Sequence, residues 1–252
     1  MAGEKPIGDA VTLLRPEARS DIFLICDHAS NLIPSKYANL GVGAIHRRDH
    51  VAWDIGAADV TRVLSEELAA PAVLGATSRL VVDFNRQPDA ADVIPALSHG
   101  VRIPGNENLG DEERESRFRR YYRPYHETID RLLAASPAAL LLSVHSFSHD
   151  LDRARRDFDV GVLFDEHEAL ARSFAERLTA AGLDTRLNEP YSGRSDVISS
   201  AQAHGLQHRR AHFEIEIDQR RLGSRSEAVE FGRRLVPVVA ALAAAAREER
   251  SP

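Results

Sequence analysis

Cysteine is nearly absent from this sequence, and long hydrophobic runs are absent altogether. The single cysteine, Cys26, excludes an intramolecular disulfide and follows the apolar run 22–25, so a buried thiol in a reducing compartment is expected. No segment approaches the roughly 18 uncharged apolar residues of a membrane-spanning helix, and the first residues lack the apolar core of a signal peptide. We therefore expect a cytoplasmic protein with no membrane partner.

Basic residues are in the minority. The 252 residues include 32 Lys and Arg against 38 Asp and Glu, which is a formal net charge of -6 at pH 7. Proteins that bind a phosphate backbone carry a basic excess, so nucleic acid is not an expected partner. The remaining composition, 43% hydrophobic and 28% charged, is typical of a globular protein and excludes disorder or coiled coil as a description of the whole chain.

Short apolar runs alternate with longer segments of helical period. This alternation is typical of an α/β fold, in which helices cover both faces of a largely parallel sheet. We predict a single domain over residues 1–252, with its core at about 20–240, because no repeat or long linker divides the chain. The predicted strands are 21–26, 72–75, 80–84, 139–144, 160–164, 184–187 and 212–217.

Helical period and irregular sequence divide the rest of the chain. The predicted amphipathic helices are 55–68, 111–135, 168–181 and 227–250. Pro124 is expected to kink the second of them, because proline lacks the N–H that a helical hydrogen bond needs. Residues 87–110 are rich in proline, glycine and asparagine, so they form either the rim of an active site or a surface excursion.

Two predicted strands lead into a histidine. The first strand continues directly into Asp27 and His28, and the strand 139–144 continues into His145. Open α/β sheets bind ligands beyond the carboxyl ends of their strands, and neutral imidazole is a preferred zinc ligand. The pair therefore suits a zinc site, with a structural, hydrogen-bonded histidine as the alternative at each position.

A catalytic zinc site needs a third protein ligand, and a carboxylate suits that position. Asp54 lies at the start of the predicted helix 55–68, where it is equally suited to cap the helix. Asp49 and His50 are neighbouring alternatives. The residues themselves leave the choice of the third ligand open.

Charged and polar residues flank the predicted strand 80–84. Arg79 precedes the strand 80–84, and Asn85 with Arg86 follows it, so this pair is a candidate for holding a substrate carboxylate in the fork of the guanidinium.

Glu214 and Glu216 lie on one face of the predicted strand 212–217, because side chains alternate along a strand. Two carboxylates on one face are costly unless they face water, a metal or cations, and a glutamate beside zinc-bound water is a standard general base. The pair thus indicates either an active-site wall or a solvated edge strand.

Six short motifs follow one another along the chain. They are Asp27-His28-Ala29-Ser30, Trp53-Asp54-Ile55-Gly56-Ala57, Ser78-Arg79-Leu80 with Asp83-Phe84-Asn85-Arg86, Val144-His145-Ser146-Phe147, Asn188-Glu189-Pro190-Tyr191-Ser192-Gly193 and Glu214-Ile215-Glu216-Ile217. In this order they resemble the N-formylglutamate amidohydrolase family, from about residue 20 to residue 240. The resemblance implies a three-layer α/β/α sandwich of the phosphorylase/hydrolase-like type, with a mixed, largely parallel sheet, as in zinc carboxypeptidases and aspartoacylase. It also implies hydrolysis of N-formyl-L-glutamate to formate and glutamate.

The resemblance further implies a metal site. His28 and His145 would bind one zinc ion per chain. Carboxypeptidase-like sites have a glutamate three residues after the first histidine, where this chain has Asn31, so the third ligand is not carried over and Asp54 is the preferred choice. Arg79 would polarise the scissile carbonyl.

Substrate contacts are implied in the same way. Asn85 with Arg86 would bind the α-carboxylate of a small N-acyl amino acid. Tyr191 and Ser192 lie in a loop that would close over the substrate, and His204 would line the same pocket.

Two glutamates compete for the role of general base. Carboxypeptidases carry an aromatic residue before theirs, as Phe213 precedes Glu214, whereas formylglutamate hydrolases align better at Glu216, which is preferred. In the implied reaction zinc lowers the pKa of its water towards about 7, and Glu216 accepts the proton and returns it to the departing amine. The alternatives are a deacylase or carboxypeptidase-like enzyme for another substrate, and a non-catalytic protein that binds a metal or a carboxylate.

Overall fold

An eight-stranded sheet forms the centre of the computed structural model, which describes residues 4–8, 10–149, 156–194 and 199–250. The strands are β1 (Glu4–Ile7), β2 (Val11–Leu14), β3 (Ile22–Cys26), β4 (Ala72–Gly75), β5 (Leu97–Ser98), β6 (Val101–Arg102), β7 (Leu140–Phe147), β8 (Val160–Leu163), β9 (Thr185–Leu187) and β10 (Ala211–Asp218). Their order in the sheet is β1-β2-β4-β3-β7-β10-β8-β9, while β5 and β6 form a separate hairpin.

The middle of the sheet is parallel and its flanks are mixed. The neighbours β4, β3, β7 and β10 all run in one direction. Antiparallel neighbours adjoin them on both sides, β2 beside β4 and β8 beside β10, while the outermost strand β9 is parallel to β8. The prediction of a mixed, largely parallel sheet is confirmed.

The helices are α1 (Ala57–Glu67), α2 (Asp111–Arg117), α3 (Arg123–Ala135), α4 (Glu168–Ala180), α5 (Ser199–His208) and α6 (Arg225–Arg250). A π-helical turn at Phe118–Tyr122 joins α2 to α3 immediately before Pro124, so regular α-helical hydrogen bonding is interrupted where proline was expected to disturb it. Among the described residues, no helix combines the length and the apolar character that crossing a bilayer requires.

Helices cover both faces of the sheet. Along β3, Leu24 and Cys26 belong to an apolar cluster shared with α1, α4 and α6, whereas Phe23 and Ile25 belong to a second cluster shared with α3. Successive residues of a strand point to opposite faces, so one apolar run fills both cores. This arrangement is the expected three-layer α/β/α sandwich.

The predicted strand at 80–84 is wrong. This segment is buried but forms turns. Its backbone groups are satisfied by distant side chains: the amide of Asn106 donates to the carbonyl of Leu80 (2.8 Å), and the guanidinium of Arg117 donates to that of Val81 (3.1 Å). Composition alone does not distinguish a buried strand from a buried irregular segment, because both are continuously apolar.

Two other differences concern which residues form strands. Strands β1 and β2 lie before the predicted core and were not predicted. Strand β7 extends to Phe147, so His145 lies within the strand and not after it. The side chain of His145 therefore has the fixed direction that a strand imposes on each residue.

Replacing Arg117 should destabilise the fold. Arg117 is 1% exposed and also bonds the side chain of Asn106 at 2.7 Å, so Arg117→Met would leave buried carbonyls without a donor. We expect a loss of about 2–4 kcal/mol in the free energy of unfolding, measured by urea denaturation. Arg114→Met on the same helix removes a solvent-exposed bond to the carbonyl of Pro88 and should cost less than about 1 kcal/mol. Equal losses would contradict this account.

Candidate active site

A polar pocket lies at the carboxyl ends of β3, β7 and β10. From β3 the chain passes through α1 to β4 on one side of β3, whereas β7 is its neighbour on the other side. The strand order therefore changes direction at β3, and open α/β sheets bind ligands at such a switch point. The pocket has a cavity volume of about 130 Å³. Its lining residues are His28, His50, Asp54, Arg79, Asn85, Arg86, His99, His145, Ser146, Tyr191, Glu214 and Glu216.

His28 and His145 face one carboxylate oxygen. Nδ1 of His145 lies 2.7 Å from Oδ2 of Asp54, and Nδ1 of His28 lies 3.3 Å from the same oxygen. The two rings are 4.9 Å apart and nearly perpendicular. All three side chains are buried, and they offer ligand atoms within 4.8 Å of one another, so the group has the composition and size of a three-residue metal site.

A second carboxylate lies behind each histidine. Nε2 of His28 is 2.7 Å from Oδ1 of Asp83, and Nε2 of His145 is 3.1 Å from Oδ2 of Asp27. Carboxylates in this position orient metal-ligating imidazoles. Sequence reasoning did not select Asp27 or Asp83 as site residues, although both stand in the motifs. Only the fold shows which histidine each one contacts.

The turn before α1 brings Asp54 into this group. The N-cap of α1 is Gly56, and no side chain caps the helix, so the helix-capping interpretation of Asp54 is wrong. Gly56 has φ +79° and lies against Leu222, where a Cβ atom would clash. Of the alternatives to Asp54, Asp49 is exposed, while His50 lines the pocket with Nδ1 3.8 Å from Oδ1 of Asp54.

Glu214 and Glu216 point to the same face of β10, as predicted, and both are buried. Glu214 is held in place, because the amide of Asn85 donates to its Oε2 at 3.0 Å and Nε2 of His145 lies 3.4 Å from the same oxygen. Oε2 of Glu216 is buried and has no hydrogen-bond partner among the described residues. Glu216 is therefore the less constrained of the two carboxyls.

Burial and charge shift the pKa values of the glutamates upwards. Burial, reinforced by the charge of Asp27, raises the pKa of Glu214 to about 7. Burial and the neighbouring Glu214 raise the pKa of Glu216 well above its usual range. Both carboxyls therefore hold a proton more readily than exposed glutamates do.

The histidines respond to the carboxylates around them. Burial and Arg79 oppose the charge of His28, but Asp83 and Asp54 outweigh them and its pKa is raised. Burial likewise opposes the charge of His145, but the nearby carboxyl groups raise its pKa well above its usual range. In return, the histidines hold the pKa of Asp54 well below its usual range against the effect of burial. The group is thus a compact set of opposite charges.

Arg79 lies directly beside Asp54 and Asp83. Its Nη2 is 3.1 Å from Oδ2 of Asp83, and its Nη1 is 3.4 Å from Oδ1 of Asp54. Arg86 lies nearer the solvent, where its Nε contacts the exposed Asp92 at 2.9 Å. Both guanidinium groups line the pocket.

The other predicted substrate-binding residues divide into two sets. Tyr191 lines the pocket, as does Asn85, whose amide is engaged on both sides because its Oδ1 accepts from the N–H of Ser200 (2.9 Å). Among the residues that the structure describes, Ser192 and His204 do not line the pocket.

His204 lies on α5 and faces α3. Its Nδ1 is 2.8 Å from Oδ1 of Asp130, and its Nε2 is 2.9 Å from Nδ1 of His126. The expectation that His204 lines the pocket is therefore not met, because the packing of the two helices turns its ring away. The irregular stretch 87–110 does reach the pocket, through His99, as an active-site rim would.

The pocket of this α/β protein thus joins His28, Asp54 and His145, a group that could hold a metal ion, to further carboxyl groups and to guanidinium groups. The model of the N-formylglutamate amidohydrolase family matches residues 20–222. The chain therefore belongs to the N-formylglutamate amidohydrolase family, a family of hydrolases that act on amides. Small-molecule substrates are implied by this membership.

Two solved structures resemble the whole chain. The gene product Atu2144 from Agrobacterium tumefaciens is 31% identical, with a TM-score of 0.87 over 96% of each chain. An N-formylglutamate amidohydrolase from Ralstonia eutropha JMP134 is 21% identical, with a TM-score of 0.66 over 96% of this chain and 99% of that one, a likeness that concerns the fold. A search of curated proteins found no significant match.

The metal-free protein should lose stability as the pH rises from 7 to 9. The raised pKa values of His28 and His145 mean that their stabilising contribution is complete below about pH 6.5 and is lost as the pH rises through the folded-state values. Glu214 acts in the same direction. Its contribution to the free energy of unfolding is complete below the ordinary pKa of a glutamate, and it is lost as the pH rises through the raised pKa of about 7.

The measurement is the melting temperature of chelator-treated protein at pH 7, 8 and 9. Glu214→Gln removes one titrating group without changing the shape of the side chain, so it should flatten the slope near pH 7. A melting temperature that rises across this range would contradict the assignment of charges in the pocket.

Proposed function

We propose that this protein hydrolyses N-formyl-L-glutamate, or a closely related N-acyl amino acid, in a zinc-dependent reaction that releases the free amino acid. One observation carries the proposal. The ligand atoms of His28, Asp54 and His145 converge in a pocket that also holds Oε2 of Glu216, a buried oxygen that has no hydrogen-bond partner within the described part of the chain. Membership of the family and the fold shared with the N-formylglutamate amidohydrolase of R. eutropha support the choice of substrate.

The residues present fit a divalent metal ion. Two imidazole nitrogens and one carboxylate are a common set of protein ligands for catalytic zinc, and each imidazole has a carboxylate on its other nitrogen. Zinc in such a site supplies Lewis acidity towards a carbonyl oxygen and makes its bound water acidic near neutral pH. We therefore assign His28, Asp54 and His145 as the ligands of one zinc ion.

Glu216 is assigned as the general base. Its buried carboxyl lines the pocket and has an oxygen atom available to a water molecule, whereas Glu214 is bonded to Asn85. A raised pKa makes a carboxylate a better proton acceptor, and the same group can then return the proton to the departing amine nitrogen.

The two arginines are assigned to the substrate. Arg79 lies next to Asp54 and would stabilise negative charge on the oxygen of the scissile carbonyl. Arg86 lies 29% exposed near the solvent, where its guanidinium would bind the α-carboxylate. Tyr191 would complete this contact, because its hydroxyl accepts from Arg156 (2.9 Å) and retains a proton to donate into the pocket.

Turnover should depend on zinc. Purified protein should release glutamate from N-formyl-L-glutamate, lose this activity after chelation, and regain it with one equivalent of zinc. Turnover that persists in chelator would contradict the metal dependence. No turnover in either state would contradict the substrate, and a panel of other N-acyl amino acids would then separate a related deacylase from a non-catalytic metal-binding protein.

Removing the base should slow the reaction without removing the metal. Glu216→Gln should lower kcat by roughly 10²- to 10⁴-fold at unchanged zinc affinity. Glu214→Gln is the matched control on the same strand, and a loss of about tenfold or less is expected, since it weakens one hydrogen-bonded position. If Glu216→Gln keeps near-normal activity while Glu214→Gln loses it, Glu214 is the base.

A further inference from the structure

His145 belongs to two groups of side chains that could each hold a metal ion. The first, here the Nδ1 group, is His28, Asp54 and His145; the second, here the Nε2 group, is His145, Glu214 and Glu216. The groups lie on opposite sides of one imidazole, because Nδ1 is 2.7 Å from Asp54 and Nε2 is 3.4 Å from Glu214. A ring nitrogen that keeps its proton cannot bind a metal, so the position of that proton selects the group.

The oxygen atoms around Nε2 of His145 are arranged to accept its proton. Oδ2 of Asp27 lies 3.1 Å away, and Oγ of Ser143 lies 3.0 Å away. The hydroxyl of Ser143 donates its own proton to Oδ2 of Asp27 (3.0 Å), so towards the imidazole its oxygen acts as an acceptor. Each of these contacts favours a proton on Nε2.

Asp27 is fixed from its other side by α3. The hydroxyl of Tyr125 donates to Oδ1 of Asp27 at 2.9 Å, and both side chains are fully buried. The ring of Tyr125 stacks on Phe84 at 4.4 Å, which restricts where the hydroxyl can lie. Both carboxylate oxygens of Asp27 therefore have a fixed donor, and the carboxylate has little freedom to turn away from His145.

Asp27 differs from every other carboxyl that contacts His145. Asp54 belongs to the Nδ1 group and Glu214 to the Nε2 group, whereas Asp27 belongs to neither. Its contacts thus suit it to hold the ring and not to bind the metal.

We propose that Asp27 is a positioning residue that keeps the proton of His145 on Nε2 and so directs the metal ion to the Nδ1 group. Tyr125 and Ser143 hold Asp27 in place for this role. As a result, the carboxyl of Glu216 stays free of the metal and is available for acid–base chemistry. The inference rests on the proposed metal-dependent function, and it adds residues of β7 and α3 to the machinery that builds the site.

The first test measures zinc affinity with Tyr125→Phe, which removes the donor to Asp27 and keeps the stacked ring. We expect zinc affinity to fall by about tenfold or more in competition with a chelating indicator. Tyr122→Phe is the matched control: it lies on the same helical segment and donates to the carbonyl of Arg86 (2.7 Å), so it should bind zinc like the wild type. Melting temperatures of both variants separate loss of affinity from loss of fold.

The second test replaces Asp27 by asparagine. In Asp27→Asn an amide can donate towards Nε2, so the proton of His145 can move to Nδ1, and zinc affinity should fall by about 100-fold. In zinc-loaded wild-type protein, ¹⁵N NMR should find the proton of His145 on Nε2. In the wild type, Glu216→Gln should leave zinc binding unchanged. In Asp27→Asn, adding Glu216→Gln should weaken the remaining zinc binding, because the metal would then use the Nε2 group.

Two outcomes would overturn this inference alone, and two further outcomes would overturn it together with the proposed metal site. If the wild type carries the proton of His145 on Nδ1 when zinc is bound, the assignment of Asp27 fails. If Tyr125→Phe and Asp27→Asn both bind zinc like the wild type while His28→Ala does not bind it, the proposed metal site stands and only the role of Asp27 fails. Zinc binding that is insensitive to His28→Ala, or no zinc binding by the wild type, would overturn both proposals.

Discussion

The carboxylate of Asp54, shared by the Nδ1 atoms of His28 and His145, is the interaction on which the site depends. These groups are almost completely buried, and a buried charge is costly unless other charges and hydrogen bonds compensate it. Each imidazole accordingly has a second carboxylate on its far side, from Asp27 or Asp83. The pocket is therefore a buried, balanced set of charges in which no member is independent of the others.

Much of the surrounding fold follows from the need to hold this set. The segment 80–84 is too irregular to join the sheet, yet it carries Asp83 to His28, and its carbonyls are held by side chains that include Arg117 of α2. The helix α3 covers the same face of the sheet and supplies Tyr125, which bonds Asp27. Packing of this layer against the sheet thus also positions the polar site.

The residue types of the site were easier to predict from the sequence than the contacts between them. His28 and His145 were identified because each follows a predicted strand and the carboxyl ends of parallel strands meet at one edge of a sheet, whereas Glu216 was identified from the alternation of side chains along its strand. His204 was misplaced, because its place in the pocket rested on the family resemblance alone, and its ring instead contacts Asp130 and His126. The strand assigned to 80–84 was wrong, because the carbonyl groups of Leu80 and Val81 accept from side chains more than twenty positions away and the segment does not join the sheet.

By itself the sequence determined the α/β class, the period-two face of β10 with its two glutamates, and the residue types from which a metal-ligand group is built. Local periodicity and turn chemistry fix these features, since they depend on neighbours in the chain. Only the tertiary structure decided that Asp54 joins the two histidines, that Asp27 lies at Nε2 of His145, and that Oε2 of Glu216 is buried without a hydrogen-bond partner among the described residues. Such contacts join residues far apart in the chain, and their distances arise from how the layers pack and not from any local pattern.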